Sequence, residues 1–569
     1  MTAQDSTQNI DPTLYPDRWI ALVRGRVVGV GLTRQQAQRA ARQTRPKDTP
    51  QLLFVHADGH IDPVGPEESL TWGDGVELKV EPNWRSRQPL LPEVIAVLQA
   101  QQIEAYLVGG AVRDLLLGKE TVVDLDWVVI GDGLAVARTV ANTLKAAYYP
   151  LDEARGTGRV VTSVADKKTY LDFAACRGST LLADLQDRDF TINAIALSLS
   201  DPPQLIDPLQ GRLDLARRRI RAVSPAAFEH DPVRVVRAIR QAQELGFEIE
   251  PHTAAYLREG AAALPSVSPE RRRDELLKLL NSPAPGRAGQ ELRRLEVLPH
   301  LLPDIQATVG VAQAPPHFLN VFDHTTAALE AWADLLRAGL PDIPPQFRDR
   351  VSNYLNEPLA GELTPQQLLP LALLWHDAGK PHTRAEAGGR VRFLGHERVS
   401  AELARQAMTR LHFSNQAINF VGRVVTHHMR PLHLAAGRGQ VSRRAIYRFF
   451  RDADEKPLRA GVAVALHALA DQRATYPAGE GQAEAEALRQ VVAQLLAAFF
   501  EQPGEVIDPP PLLSGHDLIE TFSLPAGPLI GHLLNRLKEA QATGQVVDRA
   551  AAVTFIKNDL EFVDYHNHD

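Results

Sequence analysis

Asp124 and Asp126 stand two apart among apolar neighbours, Val122, Val123, Trp127, Val128, Val129 and Ile130. That run reads as a strand. Residues two apart on a strand share a face, so both carboxylates project together. Side by side on an apolar strand they are costly unless a cation sits between them. Upstream, Leu107-Val108-Gly109-Gly110-Ala111-Val112-Arg113-Asp114 reads as a glycine turn entering a helix. Such glycines let backbone amides approach a phosphate, and Arg113 adds charge. Two Mg²⁺ ions holding a nucleoside triphosphate would satisfy both features. Asp172, on a separate predicted strand, supplies a third carboxylate for an attacking hydroxyl. Asp187-Arg188-Asp189-Phe190-Thr191-Ile192-Asn193-Ala194 follows. The chemistry implied is in-line attack of a 3′-hydroxyl on an α-phosphate, with pyrophosphate leaving.

A second constellation lies downstream. It comprises Asp323-His324, His376-Asp377-Ala378-Gly379-Lys380, His396-Glu397, His427-His428 and Asp471. Imidazole and carboxylate ligands suit Mn²⁺, Ni²⁺, Fe²⁺ or Mg²⁺, with a bound water made nucleophilic.

These groups need a large scaffold. The chain has 569 residues, too many for one core. The single cysteine, Cys176, excludes an internal disulfide and fits a reducing, cytoplasmic setting. The polar N-terminus has no signal-peptide pattern, and no apolar run is long enough for a bilayer. The net charge of −7 does not advertise nucleic acid, yet residues 212–240 hold eight arginines against three acidic residues. Local charge matters most because distant charge is screened.

The expected organisation has five parts. Residues 1–83 form a small α/β module: a hairpin over 19–31, a helix from a Thr33 cap with Gln36 to Arg45, and a strand over 51–55. Residues 82–92 read as a linker. Residues 90–210 are a catalytic head of mixed sheet and helices, with a helix over 134–147, paired strands over 159–164 and 168–173, and a further helix or strand from Phe190. Residues 211–310 are a helical neck, 315–480 a helical metal-binding domain, and 481–569 a helical tail. In the tail, Gly515-His516-Asp517 reads as a turn and helix cap.

Gly109-Gly110-Ala111-Val112-Arg113-Asp114, Asp124-Leu125-Asp126 and Arg188-Asp189-Phe190-Thr191-Ile192-Asn193-Ala194 together resemble class II tRNA nucleotidyltransferases and bacterial poly(A) polymerases, of the polymerase β-like superfamily. The resemblance runs from about residue 90 to the C-terminus. It implies tRNA as partner, with CTP or ATP as substrate. It implies catalysis by Asp124, Asp126 and Asp172, and nucleotide binding by Gly109, Gly110, Arg113, Arg188, Asp189, Asn193, Asp231, Arg234 and Arg237. Asp231 and Arg234 lie three apart and share a helix face. A carboxylate accepts from the amine of cytosine or adenine and a guanidinium donates to their ring acceptors, so this pair selects C and A over U and G. Asp231 before Pro232 is equally a helix N-cap. Arg217, Arg218, Arg271 and Arg272 are candidates for tRNA phosphates. The ordered His…His-Asp…His…His…Asp set resembles the HD phosphohydrolase superfamily. That implies a primary metal site of His324, His376, Asp377 and Asp471, with His396 and His427 (or His428) for a second metal or a phosphate. Lys380 would neutralise a substrate phosphate.

Two departures from the family matter. Its Arg-Arg-Asp is Asp187-Arg188-Asp189 here, and its Glu-Asp-x-x-Arg has His230 in place of the glutamate. The connection after Cys176-Arg177 is short, where CCA-adding relatives carry a longer flexible loop linked to switching to ATP. That resembles CC-adding enzymes. Full CCA addition, A addition and poly(A) synthesis are the neighbouring alternatives. An HD phosphohydrolase whose head only grips RNA is the alternative of a different class.

Overall fold

The structure is a computed structural model. It describes residues 10–16, 18–31, 34–45, 48–56, 61–62, 84, 90–119, 124–164, 167–178, 180–200, 203–359, 363–437, 440–455, 458–476 and 478–566. The Thr33 cap, the side chain of Gln36, most of the 82–92 linker and Val122-Val123 lie outside them. The chain divides into two units, Met1–Gly260 and Ala261–Asp569. The residues read as one neck, 211–310, are therefore divided between the two.

The first unit opens with a four-stranded antiparallel sheet, ordered Arg26–Gly31, Arg18–Val23, Gln51–Val55, Ile61–Asp62. The helix Arg34–Thr44 packs Ala37 and Ala41 against Trp19, Ala21 and Phe54.

The head is a seven-stranded mixed sheet. Its order is Leu205–Ile206, Ala196–Ser198, Ala105–Val108, Asp124–Val129, Lys167–Ala175, Thr157–Val164, Ala147–Asp152. Only Asp124–Val129 and Lys167–Ala175 run parallel among these pairings. Alternation sorts the central strand. Leu125, Trp127 and Val129 are buried, and Trp127 stacks on Phe173 with ring centres 6.0 Å apart. Val128 faces the other way, into a cluster with Val108, Leu185, Ala194 and Ala196. Asp126 and Asp124 occupy that same face, where the strand begins. The helix expected over 134–147 ends earlier, at Gly133–Leu144, because Lys145 adopts a left-handed conformation (φ 52°). The chain then turns back as the edge strand Ala147–Asp152. Phe190 leads into a single turn, Thr191–Asn193, and the strand Ala196–Ser198.

The second unit is almost wholly helical. Helices Val321–Arg337, Pro365–Trp375, His396–Arg410, Asn415–His427 and Gly461–Thr475 surround its core. At its C-terminal end, helices Gly515–Phe522, Pro528–Ala542 and Arg549–His566 enclose a separate cluster of Leu518, Leu533, Leu537 and Ile556. Ser514 and Asp517 form a reciprocal capping box, so Gly515-His516-Asp517 begins a helix as expected. No helix of the described residues is long and apolar enough to cross a membrane.

Candidate active sites

The head site is assembled by register. Val108 pairs with Asp126, and Asp126 with Asp172 on the neighbouring parallel strand. The chain leaves Val108 through Gly109, whose φ of +73° favours glycine. A Cβ at Gly109 would stand 3.1 Å from Asp126 Oδ2 and 3.3 Å from Arg188 Nη1. The turn is thus folded directly over the carboxylate, with Arg188 above it.

Asp126 has its carboxyl pushed up to about 6. Burial is the main cause, then repulsion from Asp172 and Asp124, against the pull of Arg188 and Arg159. Arg159 donates to both oxygens of Asp172, at 2.8 and 2.7 Å. The carboxylate expected to act on the attacking hydroxyl is thus paired with a bidentate guanidinium. Asp124 is exposed at the strand's start.

The other expected nucleotide ligands fall into two groups. Arg113 and Arg188 edge the turn. Arg188 is braced by Asp184 at 3.1 and 3.2 Å, Arg113 by Asp114 at 2.8 Å and Asn193 at 2.9 Å. Asp189 and Asn193 are buried beneath. The Asn193 amide accepts from Arg113 and donates to Asp189 (3.0 Å) and Gln241 (3.1 Å), three of its four possible hydrogen bonds. Asp189 also accepts from Arg237 at 3.3 Å. Burial alone would raise the Asp189 carboxyl, but Arg237, Asn193 and Arg234 hold it below its usual value. Asp189, Asn193 and Arg237 therefore link Arg113 to the helix Arg234–Leu245 through one buried polar network.

Asp231 and Arg234 face each other, with Nε and Oδ2 3.8 Å apart. Arg234 is pinned to two main-chain carbonyls, Asp187 O at 3.0 Å and Ala227 O at 3.3 Å. The helix starting at Arg234 has no side-chain cap, so the N-cap reading of Asp231 gives way. Asp187, where the family has arginine, accepts from Arg177 at 2.9 Å and lies 3.5 Å from His230, the other departure. Arg217, Arg218 and Arg271 are exposed and Arg272 is half-buried.

In the second unit, helix ends deliver the ligands. His376 and His428 immediately follow helices Pro365–Trp375 and Asn415–His427. Their Nδ1 atoms lie 2.7 Å from Leu373 O and Val425 O, carbonyls of the last helical turn. His396 Nδ1 sits 2.8 Å from Phe393 O, and His324 Nδ1 3.3 Å from Ala474 O. A carbonyl only accepts, so each Nδ1 donates there, and each Nε2 is the nitrogen turned towards the other members of the cluster. Two buried trios result: His324, His376 and Asp471, then Asp377, His396 and His428, with ligand atoms mutually within 4.8 Å. Asp377 joins them, 3.2 Å from His376 Nε2 and 3.3 Å from His396 Nε2. Among the described residues no comparable group forms in the head.

One expectation is corrected here. His428, and not His427, faces His396, with Nε2 atoms 3.4 Å apart. His427 lies half-buried outside both trios. Lys380 is itself buried and bridges Asp377 and Gln313, both at 2.6 Å, so its charge is already shared with a carboxylate. Burial would raise the Asp377 carboxyl, but His376 and Lys380 hold it well below its usual range. Gly379 is required by close packing: a Cβ there would meet His396 O at 2.5 Å. A cavity of about 1390 Å³ opens over the cluster, with Arg392, Arg398 and Arg430 on its wall. Sequence reasoning missed His467, which is fully buried against the rings of His376 and His428. Its spacing of four from Asp471, one helical turn, was the available signal.

Residues 105–221 match the family model of the poly A polymerase head domain, and residues 246–308 that of the probable RNA and SrmB-binding site of polymerase A. Residues 351–470 match the HD domain. Fold and matches together define a nucleotidyltransferase head joined to an HD domain. An A-adding tRNA nucleotidyltransferase of Deinococcus radiodurans is 36% identical over 460 residues, covering 80% of this chain and 95% of that protein. A CC-adding tRNA nucleotidyltransferase of Geobacter sulfurreducens is 31% identical over 478 residues, covering 82% and 94%. A solved CCA-adding enzyme in complex with CTP has the same fold, with a TM-score of 0.56 at 20% identity over 85% of this chain and 98% of that one. The chain belongs to the tRNA nucleotidyltransferase family.

Proposed function

We propose that this protein adds cytidines, without a nucleic-acid template, to the 3′ end of tRNA from CTP, stopping after CC. One observation carries the stop. Only residues 176–180 connect the strand Lys167–Ala175 to the helix Leu181–Gln186. That connection is tied down: the Arg177 amide donates to Asp184 at 3.1 Å, and Thr180 caps the helix. It leaves no long loop at this point to reorganise the pocket for ATP.

The residues divide the work as follows. Gly109 and Gly110 let the triphosphate approach the backbone, and Arg113 and Arg188 flank it with positive charge. Asp231 and Arg234 read the base edge, and their mutual contact keeps both in one orientation. Asp124 and Asp126 suit Mg²⁺, a hard cation that takes carboxylate oxygens and, when bound, neutralises charge developing on the α-phosphate. The strained ionisation of Asp126 is the sign of a site built for a cation. Asp172, locked by Arg159, keeps negative charge beside Asp126.

The decisive assay offers tRNA ending at the discriminator base and tRNA ending in CC, each with CTP, ATP, or both, and resolves products by length. Two added residues with both nucleotides present supports CC addition. Three means CCA, one residue added to tRNA already ending in CC from ATP alone means A addition, and a long ladder means poly(A). No extension by a folded protein ends the transferase reading.

A second reading is carried by the two buried trios. We infer that the HD domain hydrolyses phosphoesters at damaged or cyclic RNA 3′ ends. Its imidazole and carboxylate donors fit Mn²⁺, Ni²⁺ or Fe²⁺ better than Mg²⁺. Hydrolysis lost in the His376→Ala, Asp377→Ala double variant supports this. A metal-replete wild type inert on phosphodiesters ends it.

A further inference from the structure

From Val462 to Ala470 the helix Gly461–Thr475 is apolar except for His467. His467 is 0% exposed, and neither of its ring nitrogens has a hydrogen-bond partner among the described residues. A buried imidazole without partners is expensive, and a leucine would carry no such penalty. Its surroundings give it a use. The ring touches one imidazole of each trio, His376 with centres 5.1 Å apart and His428 at 5.5 Å. The imidazoles within the trios are spaced alike, His324 from His376 by 5.4 Å and His396 from His428 by 5.3 Å. One turn further along the same helix face, Asp471 belongs to the first trio.

The other four imidazoles are each tethered through Nδ1 to a main-chain carbonyl. His467 has no tether. Its nitrogens belong to neither trio in the present rotamer, and no hydrogen bond opposes rotation of the ring. We propose that His467 is a fifth imidazole ligand of this centre, recruited when it holds a divalent ion that prefers nitrogen donors. The proposal rests on the reading of the trios as a metal centre. A third imidazole beside His376 or His428 shifts the preference of the centre further from Mg²⁺ towards ions such as Ni²⁺ or Co²⁺.

The test uses the full chain, stripped by chelator and titrated with Co²⁺, whose visible absorption reports nitrogen coordination. Wild type, His467→Leu and His467→Gln are compared by spectrum, by calorimetric affinity, and by thermal melting in chelator. We expect both variants to bind Co²⁺ roughly tenfold or more weakly, with altered absorption bands. In chelator, His467→Leu should melt no lower than wild type, because it removes an unpartnered polar group. Affinity and spectrum unchanged in both variants overturn the proposal. So does a Leu variant that fails to fold in chelator, which would make the ring a packing element. If wild type itself binds no Co²⁺, the metal-centre reading fails first, and this proposal with it.

Discussion

Asp126 and Asp172 stand opposite each other on neighbouring parallel strands, and Arg159 gives both of its hydrogen bonds to Asp172. One carboxylate is neutralised by the protein. The other has no such bidentate partner among the described residues and feels Arg188 and Arg159 only as neighbouring charges.

Replacing Asp126 by asparagine should abolish nucleotide addition and, in chelator, stabilise the fold. The carboxyl moves from an ordinary 3.8 to about 6 on folding. Below pH ~4 it is protonated in folded and unfolded chains alike, and the substitution is neutral. Between about 4 and 6 the unfolded chain releases a proton that the folded one retains, and stability falls. Above 6 the whole penalty is present, roughly 3 kcal/mol. The melting temperature of Asp126→Asn should exceed that of wild type at pH 8, and the difference should nearly vanish by about pH 3. Equal melting at both values would refute the site's strain.

Arg159→Ala should move the acid limb of the pH–activity profile upward by up to about one unit. The guanidinium is one of two cations that draw the Asp126 carboxyl down. Removing it also frees Asp172 to repel its neighbour. Rates measured across pH 5 to 8 at saturating Mg²⁺ decide this, with Arg159→Lys restoring the profile. An unmoved limb would confine Arg159 to a structural role.

His428→Ala should weaken metal binding in the second unit by roughly 10- to 100-fold, whereas His427→Ala should leave it nearly unchanged. The two residues are adjacent, so folding defects that act regionally would affect both. Calorimetric titration with Mn²⁺ or Ni²⁺ separates them. Equal losses would contradict the assignment of the second trio.

Gly109→Ala should cost about 1–3 kcal/mol from its backbone alone, because φ 73°, ψ −143° is a conformation largely confined to glycine. It should depress nucleotide addition as well, because the new methyl would press on Asp126. Gly110→Ala is the contrast: its φ is ordinary, and its Cβ would meet the Arg113 guanidinium at ordinary contact distances of 3.4 to 4.0 Å. Similar rates for the two variants would show that the turn does not shape the site.

The head was legible because its chemistry is local in sequence. Two carboxylates two apart on a strand announce their own juxtaposition, and a double glycine announces a turn. What pairs with what was not legible: that Asp126 meets Asp172, and that Arg159 takes Asp172, follows from sheet register. That Asp189 and Asn193 join a buried polar network was not legible either, since such a network and a binding site use the same residue types. At His427-His428, neighbours on a helix point in directions far apart, and only the position of the helix end decides which turns inward. His467 was passed over because a lone histidine in an apolar helix reads as core.

The imidazole tethers have a mechanical consequence. Ligands at the ends of separate helices make a bound ion a cross-link between segments distant in sequence, from His324 to Asp471. Because a bound ion and a helix end would share one hydrogen-bonded turn, fraying of that turn would loosen the ion, and the ion would in turn restrain the fraying. Each increment of binding free energy is then an increment against local opening of the unit. The rate at which a chelator strips the protein becomes a clock for the breathing of its helices.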